Sequence, residues 1–249
     1  MIAHSWRTTV FATALFGFVV PTAVPAQAVV GGSPTSATQY PWLGAISTSI
    51  FPLRPGGQFC AGELIAPDQL LTAGHCGAVV QAILPTVTVT FGRTDLDGEA
   101  GTMVGVKSVR IHPGFHFTQF GADMANHDDV ALLTLSYPLS LPTATIGAPH
   151  GDSATVVGWG ATSENDDSNK ILRSATVPLN PDSACTAAYG AEYNPAEALC
   201  AGSPVADTAE FDSGGPLLVD GQIVGLCSWA KGSAEPGYPG VYARPLLDF

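Results

Sequence analysis

Three short segments of the chain carry side chains able to do nucleophilic chemistry. His75 sits in Leu71-Thr72-Ala73-Gly74-His75-Cys76, Asp128 and Asp129 precede the apolar run Val130-Ala131-Leu132-Leu133, and Ser213 sits in Phe211-Asp212-Ser213-Gly214-Gly215-Pro216. A neutral imidazole is the side chain best suited to general-base work near pH 7. A carboxylate buried at the mouth of an apolar strand needs a partner, and an imidazole N–H satisfies it while fixing the ring tautomer. Adjacent residues of an extended chain point opposite ways, so at most one of Asp128 and Asp129 faces the histidine. Two glycines after a serine let the backbone turn sharply and a substrate come close, which suits a hydroxyl nucleophile beside backbone N–H donors. Taken singly, the same segments also read as a packed or solvated histidine, a solvated acidic pair and a surface turn.

The elements that would position them are short and mostly extended. The chain has 249 residues with 28 Gly, 20 Pro and 12% charged side chains, which suits one loop-rich unit or two fused barrels and excludes a coiled coil. At 46% hydrophobic it holds enough material for a sizeable core, which sets it apart from disordered chains. Thr86-Val87-Thr88-Val89-Thr90-Phe91 alternates with period two and is β-branched, residues 130–135 and 154–157 are short apolar runs, and Gly or Pro fills nearly every gap. Pro216-Leu217-Leu218-Val219, Asp220-Gly221 and residues 222–229 predict a hairpin, because Asp-Gly suits a type I′ turn. The best helix candidate follows Pro181, with Asp182 as cap for residues 183–189, and the polar stretch 163–169 reads as a loop. A weak composition break at residues 138–149 divides the chain into halves of similar size.

Charge and targeting narrow the function classes. A formal net charge of −12 argues against non-specific binding to nucleic acid or anionic membrane and favours a cationic substrate. Arg7, the uncharged apolar residues 8–20 and Pro25-Ala26-Gln27-Ala28 form a secretory signal over residues 1–28, whose apolar run is too short to span a bilayer as a helix. Its removal leaves residues 29–249, one unit more acidic, in an oxidising compartment. Cys60, Cys76, Cys185, Cys200 and Cys227 then permit two disulfides and one thiol, with connectivity open. Nearest-neighbour pairing is Cys60–Cys76 and Cys185–Cys200, each closing a loop worth roughly 3 kcal/mol in the chain-entropy model. Cys227, in the apolar run 223–229, reads as a buried small hydrophobe.

Together these segments resemble the trypsin/chymotrypsin-like serine proteases over essentially the whole of residues 29–249. Val29-Val30-Gly31-Gly32 is similar to the family's mature N-terminus, Thr72-Ala73-Gly74-His75-Cys76 to its histidine box, Asp129-Val130-Ala131-Leu132-Leu133 to its aspartate box, and Asp212-Ser213-Gly214-Gly215-Pro216 to its serine box. The resemblance implies an all-β fold of two six-stranded antiparallel β-barrels with the cleft between them. His75 and Asp129 would come from the first barrel and Ser213 from the second. It implies that Ser213 attacks a scissile carbonyl, His75 moves the proton, Asp129 orients the imidazole, and the N–H groups of Phe211 and Ser213 hold the oxyanion. Asp207, six residues before Ser213, would form the base of a pocket for Arg or Lys flanked by Ser228, Trp229, Ala230 and Gly240. The Val29 amine would pair with Asp212, and signal cleavage just before Val29 would create that amine without a separate activation step. Cys60–Cys76 and Cys185–Cys200 pair the same way in the family.

The same resemblance implies a secreted, monomeric enzyme acting on polypeptides with basic residues and meeting protein protease inhibitors, with no metal or organic cofactor. Asp95, Asp97 and Glu99 do not reproduce the spacing of the family's calcium ligands. Phe211 stands where the family has glycine, Ala209 and Ser233 replace two pocket cysteines, Ala230 replaces a glycine, and the chain ends at Phe249, short of the family's C-terminal helix. Phe211 motivates a second reading, a secreted homologue that binds a partner through the cleft. Esterase or lipase chemistry fits less well: Ser213 lacks a Gly-x-Ser-x-Gly elbow, and the order His, Asp, Ser is not that of α/β-hydrolases.

Overall fold

A computed structural model describes Met1 and residues 29–51, 54–163, 166 and 168–249. The signal segment therefore lies outside the described residues apart from Met1, as does part of the polar stretch 163–169. Fifteen strands appear among the described residues. After β1 (Ser33–Pro34) come β2 (Leu43–Thr48), β3 (Gln58–Ala66), β4 (Gln69–Thr72), β5 (Val87–Phe91), β6 (Thr102–Ile111), the hairpin β7 (His116–Phe120) and β8 (Asp123–His127), and β9 (Ala131–Leu135). Then follow β10 (Ser153–Gly158), β11 (Arg173–Asn180), β12 (Ala198–Ala201), β13 (Pro216–Val219), β14 (Gln222–Trp229) and β15 (Gly240–Ala243).

Strands β2-β3-β4-β9-β6-β5 close an antiparallel barrel. Its interior follows from the period of two: Val87, Val89 and Phe91 on β5 are buried and face the register partners of β2, Ile46 opposite Val89. The second barrel runs β11-β10-β13-β14-β15-β12 and closes where Leu179 and Asn180 pair with Ala201 and Cys200. Both barrels are six-stranded and antiparallel, the architecture the resemblance implies. Val156, Val177, Leu217, Val224 and Tyr242 fill the second core. Closure matters physically because it leaves no exposed barrel edge to pair with another chain. The β13–β14 hairpin turns at Asp220 (φ 50°) and Gly221 (φ 76°), both in the left-handed region a type I′ turn requires.

Two α-helices among the described residues break the β pattern. Helix α2 (Asp182–Tyr189) lies where Pro181 predicts it, but Pro181 occupies the cap position and Asp182 the first turn. The Asp182 carboxylate does not cap; it accepts the Tyr193 hydroxyl at 2.6 Å. Helix α1 (Gly74–Ile83) carries no cap signal, and its glycines and valines are weak helix formers. It is held by packing: Val80 is fully buried, and Cys76 is tied to Cys60 on β3. The second disulfide joins Cys185 on α2 to Cys200 on β12, and Cys227 is a buried free thiol. No helix among the described residues is long and apolar enough to cross a membrane.

Candidate active site

His75 is the second residue of α1, directly after β4. Its position is set from both sides, by the β4–β9 pairing of Thr72 with Ala131 and by the Cys60–Cys76 bridge. Just before β9, Asp128 adopts φ 47° and its carbonyl accepts the Val130 N–H at 2.8 Å. Asp129 therefore points inward and Asp128 does not, so one carboxylate of the pair faces the histidine. The His75 backbone N–H donates to Asp129 Oδ1 at 2.7 Å and its ring Nδ1–H to Oδ2 at 2.8 Å. From the second barrel, Ser228 Oγ donates to the same Oδ2 at 2.5 Å.

The His75 side chain is 26% exposed and that of Asp129 1%. Burial alone would push the Asp129 carboxyl up, but the His75 charge and the donors from His75 and Ser228 hold it below the ordinary carboxylate value. Desolvation would lower His75, and the Asp129 charge and hydrogen bond more than offset it, so its pKa is raised. The pair is thus built to favour an ionised carboxylate beside an imidazole that readily takes a proton.

Ser213 comes from the loop before β13 and shares a cavity wall with Ser228, the residue that donates to Asp129. Gly214 has φ 75°, and a Cβ there would lie 2.2 Å from Thr72 Oγ1 and 2.5 Å from the Ala61 carbonyl, so this turn admits only glycine. The Ser213 carbonyl accepts the Ala61 N–H at 2.9 Å, which ties the serine loop to the first barrel. Ser213 lines a cavity of about 260 Å³ together with Thr208, Glu210, Ser228, Trp229 and Ala230. No hydrogen bond joins Ser213 Oγ to His75 among the described residues; such contacts are often loose before substrate binds. The N–H groups of Phe211 and Ser213 are likewise taken by no other group among the described residues. Phe211 itself has φ 71°, unusual for a side-chain-bearing residue.

The other sequence-predicted residues fall into two sets. Ser228, Trp229 and Ala230 are on the cavity wall, whereas Asp207 and Gly240 are not among its lining residues; Asp207 adjoins the lining residue Thr208 in the chain and is hydrogen-bonded to Gly240. Asp207 is buried; it accepts the N–H groups of Thr208 (2.8 Å) and Gly240 (3.0 Å) and the Tyr242 hydroxyl (3.4 Å), and burial pushes its pKa up to about 7. Val29 is fully buried among the second-barrel core residues, and Val30 pairs with Asp207. Asp212 is also buried. It accepts Gly160 N–H at 2.8 Å and Ala209 N–H at 3.1 Å, and desolvation raises it to about 7.

His75, Cys60 and Cys76 form a grouping of metal-ligand type, but the disulfide consumes both sulfurs and leaves no thiolate to bind. Sequence reading missed Asn126, whose amide nitrogen lies 3.3 Å from the Ser228 carbonyl, and Asp123 and Cys227 on the cavity wall. It also missed Arg54 and Gln58 behind Phe211. A lone polar residue in a loop or strand carries no pattern that would single it out.

Two closed barrels with a serine, a histidine and a buried carboxylate at their junction define a class, and comparison with known proteins places the chain within it. The Trypsin family model matches residues 29–245, and the chain belongs to that family. It is 38% identical over 224 residues to a trypsin of Saccharopolyspora erythraea, covering 87% of this chain and 92% of the relative. It is 32% identical to Trypsin 5G1 of Aedes aegypti, covering 87% and 80%. It is 35% identical to Serine protease 56 of Homo sapiens over 87% of this chain but only 36% of that longer protein.

Proposed function

We propose that this chain is a secreted serine endopeptidase that cleaves peptide bonds after Arg or Lys. The observation that carries the reading is the doubly hydrogen-bonded His75–Asp129 pair beside a cavity lined by Ser213. Ser213 Oγ attacks the substrate carbonyl while His75 Nε2 accepts its proton, and Asp129 keeps Nδ1 protonated and stabilises the imidazolium. The oxyanion that forms takes hydrogen bonds from the N–H groups of Phe211 and Ser213. His75 returns its proton to the leaving amine, and water repeats the sequence on the acyl-enzyme to release Ser213.

Asp207 supplies the charge for a cationic side chain, supported by its burial next to the cavity. Val29, freed by signal cleavage, supplies an α-ammonium to Asp212. The burial of both residues supports this, since a buried carboxylate with two N–H donors still gains from a cation. N-terminal sequencing of the exported protein should begin at Val29; a start further upstream overturns signal cleavage as the activating step.

The test is the intact mass of the exported protein before and after a fluorophosphonate, with Ser213→Ala as control. One adduct on the parent alone is expected, followed by cleavage after Arg or Lys in a peptide library. A second reading, a secreted homologue that binds polypeptides without cutting them, draws on Phe211 at φ 71° in the oxyanion turn. No adduct on folded protein would favour it.

A further inference from the structure

We infer that Arg54, with Gln58, is a positioning residue for the oxyanion turn: its guanidinium lies over the Phe211 ring and holds Gln58 and residues 159–161, which pin the peptides on either side of Phe211, so that the Phe211 N–H is aimed. The inference rests on the serine-peptidase reading above. At φ 71° a phenylalanine is in a region that side-chain-bearing residues adopt only where surrounding contacts over-determine it. Those contacts converge on Arg54. Its guanidinium carbon lies 4.4 Å from the centroid of the Phe211 ring.

The peptide before Phe211 is pinned by its carbonyl, because Glu210 O accepts the Ala161 N–H at 2.8 Å. A trans peptide places N–H opposite C=O, so the Phe211 N–H points away from Ala161. The segment bearing Ala161 is held in turn: Arg54 Nη2 donates to Trp159 O at 2.6 Å, and Gly160 N–H reaches Asp212 Oδ1 at 2.8 Å. The peptide after Phe211 is pinned as well, its carbonyl accepting Gln58 Nε2 at 2.8 Å. Gln58 Oε1 accepts from Arg54 Nη2 at 3.1 Å, and Arg54 Nη1 donates to Asn169 O at 2.6 Å. Arg54 is 5% exposed and Gln58 fully buried, neither lines the cavity, both contact Phe211, and the Arg54 charge also favours the ionised form of Asp212. A planar five-donor fork can stack on a ring and bridge several acceptors together; an ammonium cannot.

The test compares the parent, Arg54→Lys, Phe211→Gly and the double variant for kcat and KM on an arginine peptide, and for affinity toward a peptide aldehyde that mimics the tetrahedral intermediate. Arg54→Lys should lower kcat about ten- to a hundredfold with KM nearly unchanged, and weaken the aldehyde by a similar factor. In the Phe211→Gly background the same change should cost less than about threefold, because glycine occupies positive φ unaided. Phe211→Tyr, which keeps the stacked ring, should retain activity. If Arg54→Lys does not fold, Gln58→Leu is read in the same way. Equal losses in both backgrounds, or a loss confined to KM or to melting temperature, overturn the clamp. A parent inert to fluorophosphonate overturns the peptidase reading and the clamp's catalytic role together, whereas a reactive parent with additive effects overturns the clamp alone.

Discussion

His75 grips Asp129 twice, through its backbone N–H to one carboxylate oxygen and its ring Nδ1–H to the other. Two anchors from one residue fix the imidazole's tautomer and its plane together. Asp129→Asn presents an amide where an anion stood, and kcat should fall on the order of 10⁴-fold with the fold intact, the scale general to such triads. Steady-state kinetics with a melting curve on the same sample checks this.

In the proposed mechanism, the raised pKa of His75 sets the acid limb of activity. The base form is required, so kcat/KM should fall as pH drops through a midpoint above the ordinary imidazole value of about 6.5. Ser228→Ala removes one donor from Asp129, weakening the hold on the carboxylate, and should change the position of that limb. A pH–rate profile of the two proteins gives the comparison.

Burial sets the charge state of Asp207. With its pKa near 7, the carboxylate is increasingly protonated in mild acid, so KM for an arginine substrate should rise as pH falls through about 7. Asp207→Ser should remove that dependence and reduce the preference for Arg and Lys by roughly a hundredfold, the scale of a lost charge-assisted hydrogen bond. A peptide library cleaved at two pH values reads both effects.

Glu63 on β3 is fully buried, and its carboxyl oxygens find no side-chain partner among the described residues. Desolvation holds its pKa well above the ordinary value, offset only slightly by its own backbone N–H. For an acid raised on folding, the unfolded chain ionises first. Its contribution to stability is then full below the unfolded value of about 4.3 and is lost progressively as pH rises towards the folded value, at a limiting slope of about 1.4 kcal/mol per pH unit. Glu63→Gln should abolish this slope, matching the parent at pH 4 and exceeding it at pH 8 in denaturant unfolding.

The local chemistry of this chain is legible without its structure. The boxes around His75, Asp129 and Ser213 are contiguous, Asp220-Gly221 dictates its own turn, the alternation over residues 87–91 dictates a strand, and the two short-range cysteine pairs form as spacing suggests. Each depends on neighbours in sequence. What tertiary structure alone decided depends on neighbours in space. Helix α1 forms against propensity because the barrel and a disulfide hold it, and Asp129 rather than Asp128 faces His75 because of one positive-φ residue. Ser228 joins Asp129 from 99 residues away, and Arg54 and Gln58 reach Phe211 from a loop and a strand with no pattern of their own. A hydrogen bond or a stacked ring between distant segments leaves no period in a sequence; it exists only once two closed barrels bring those segments together.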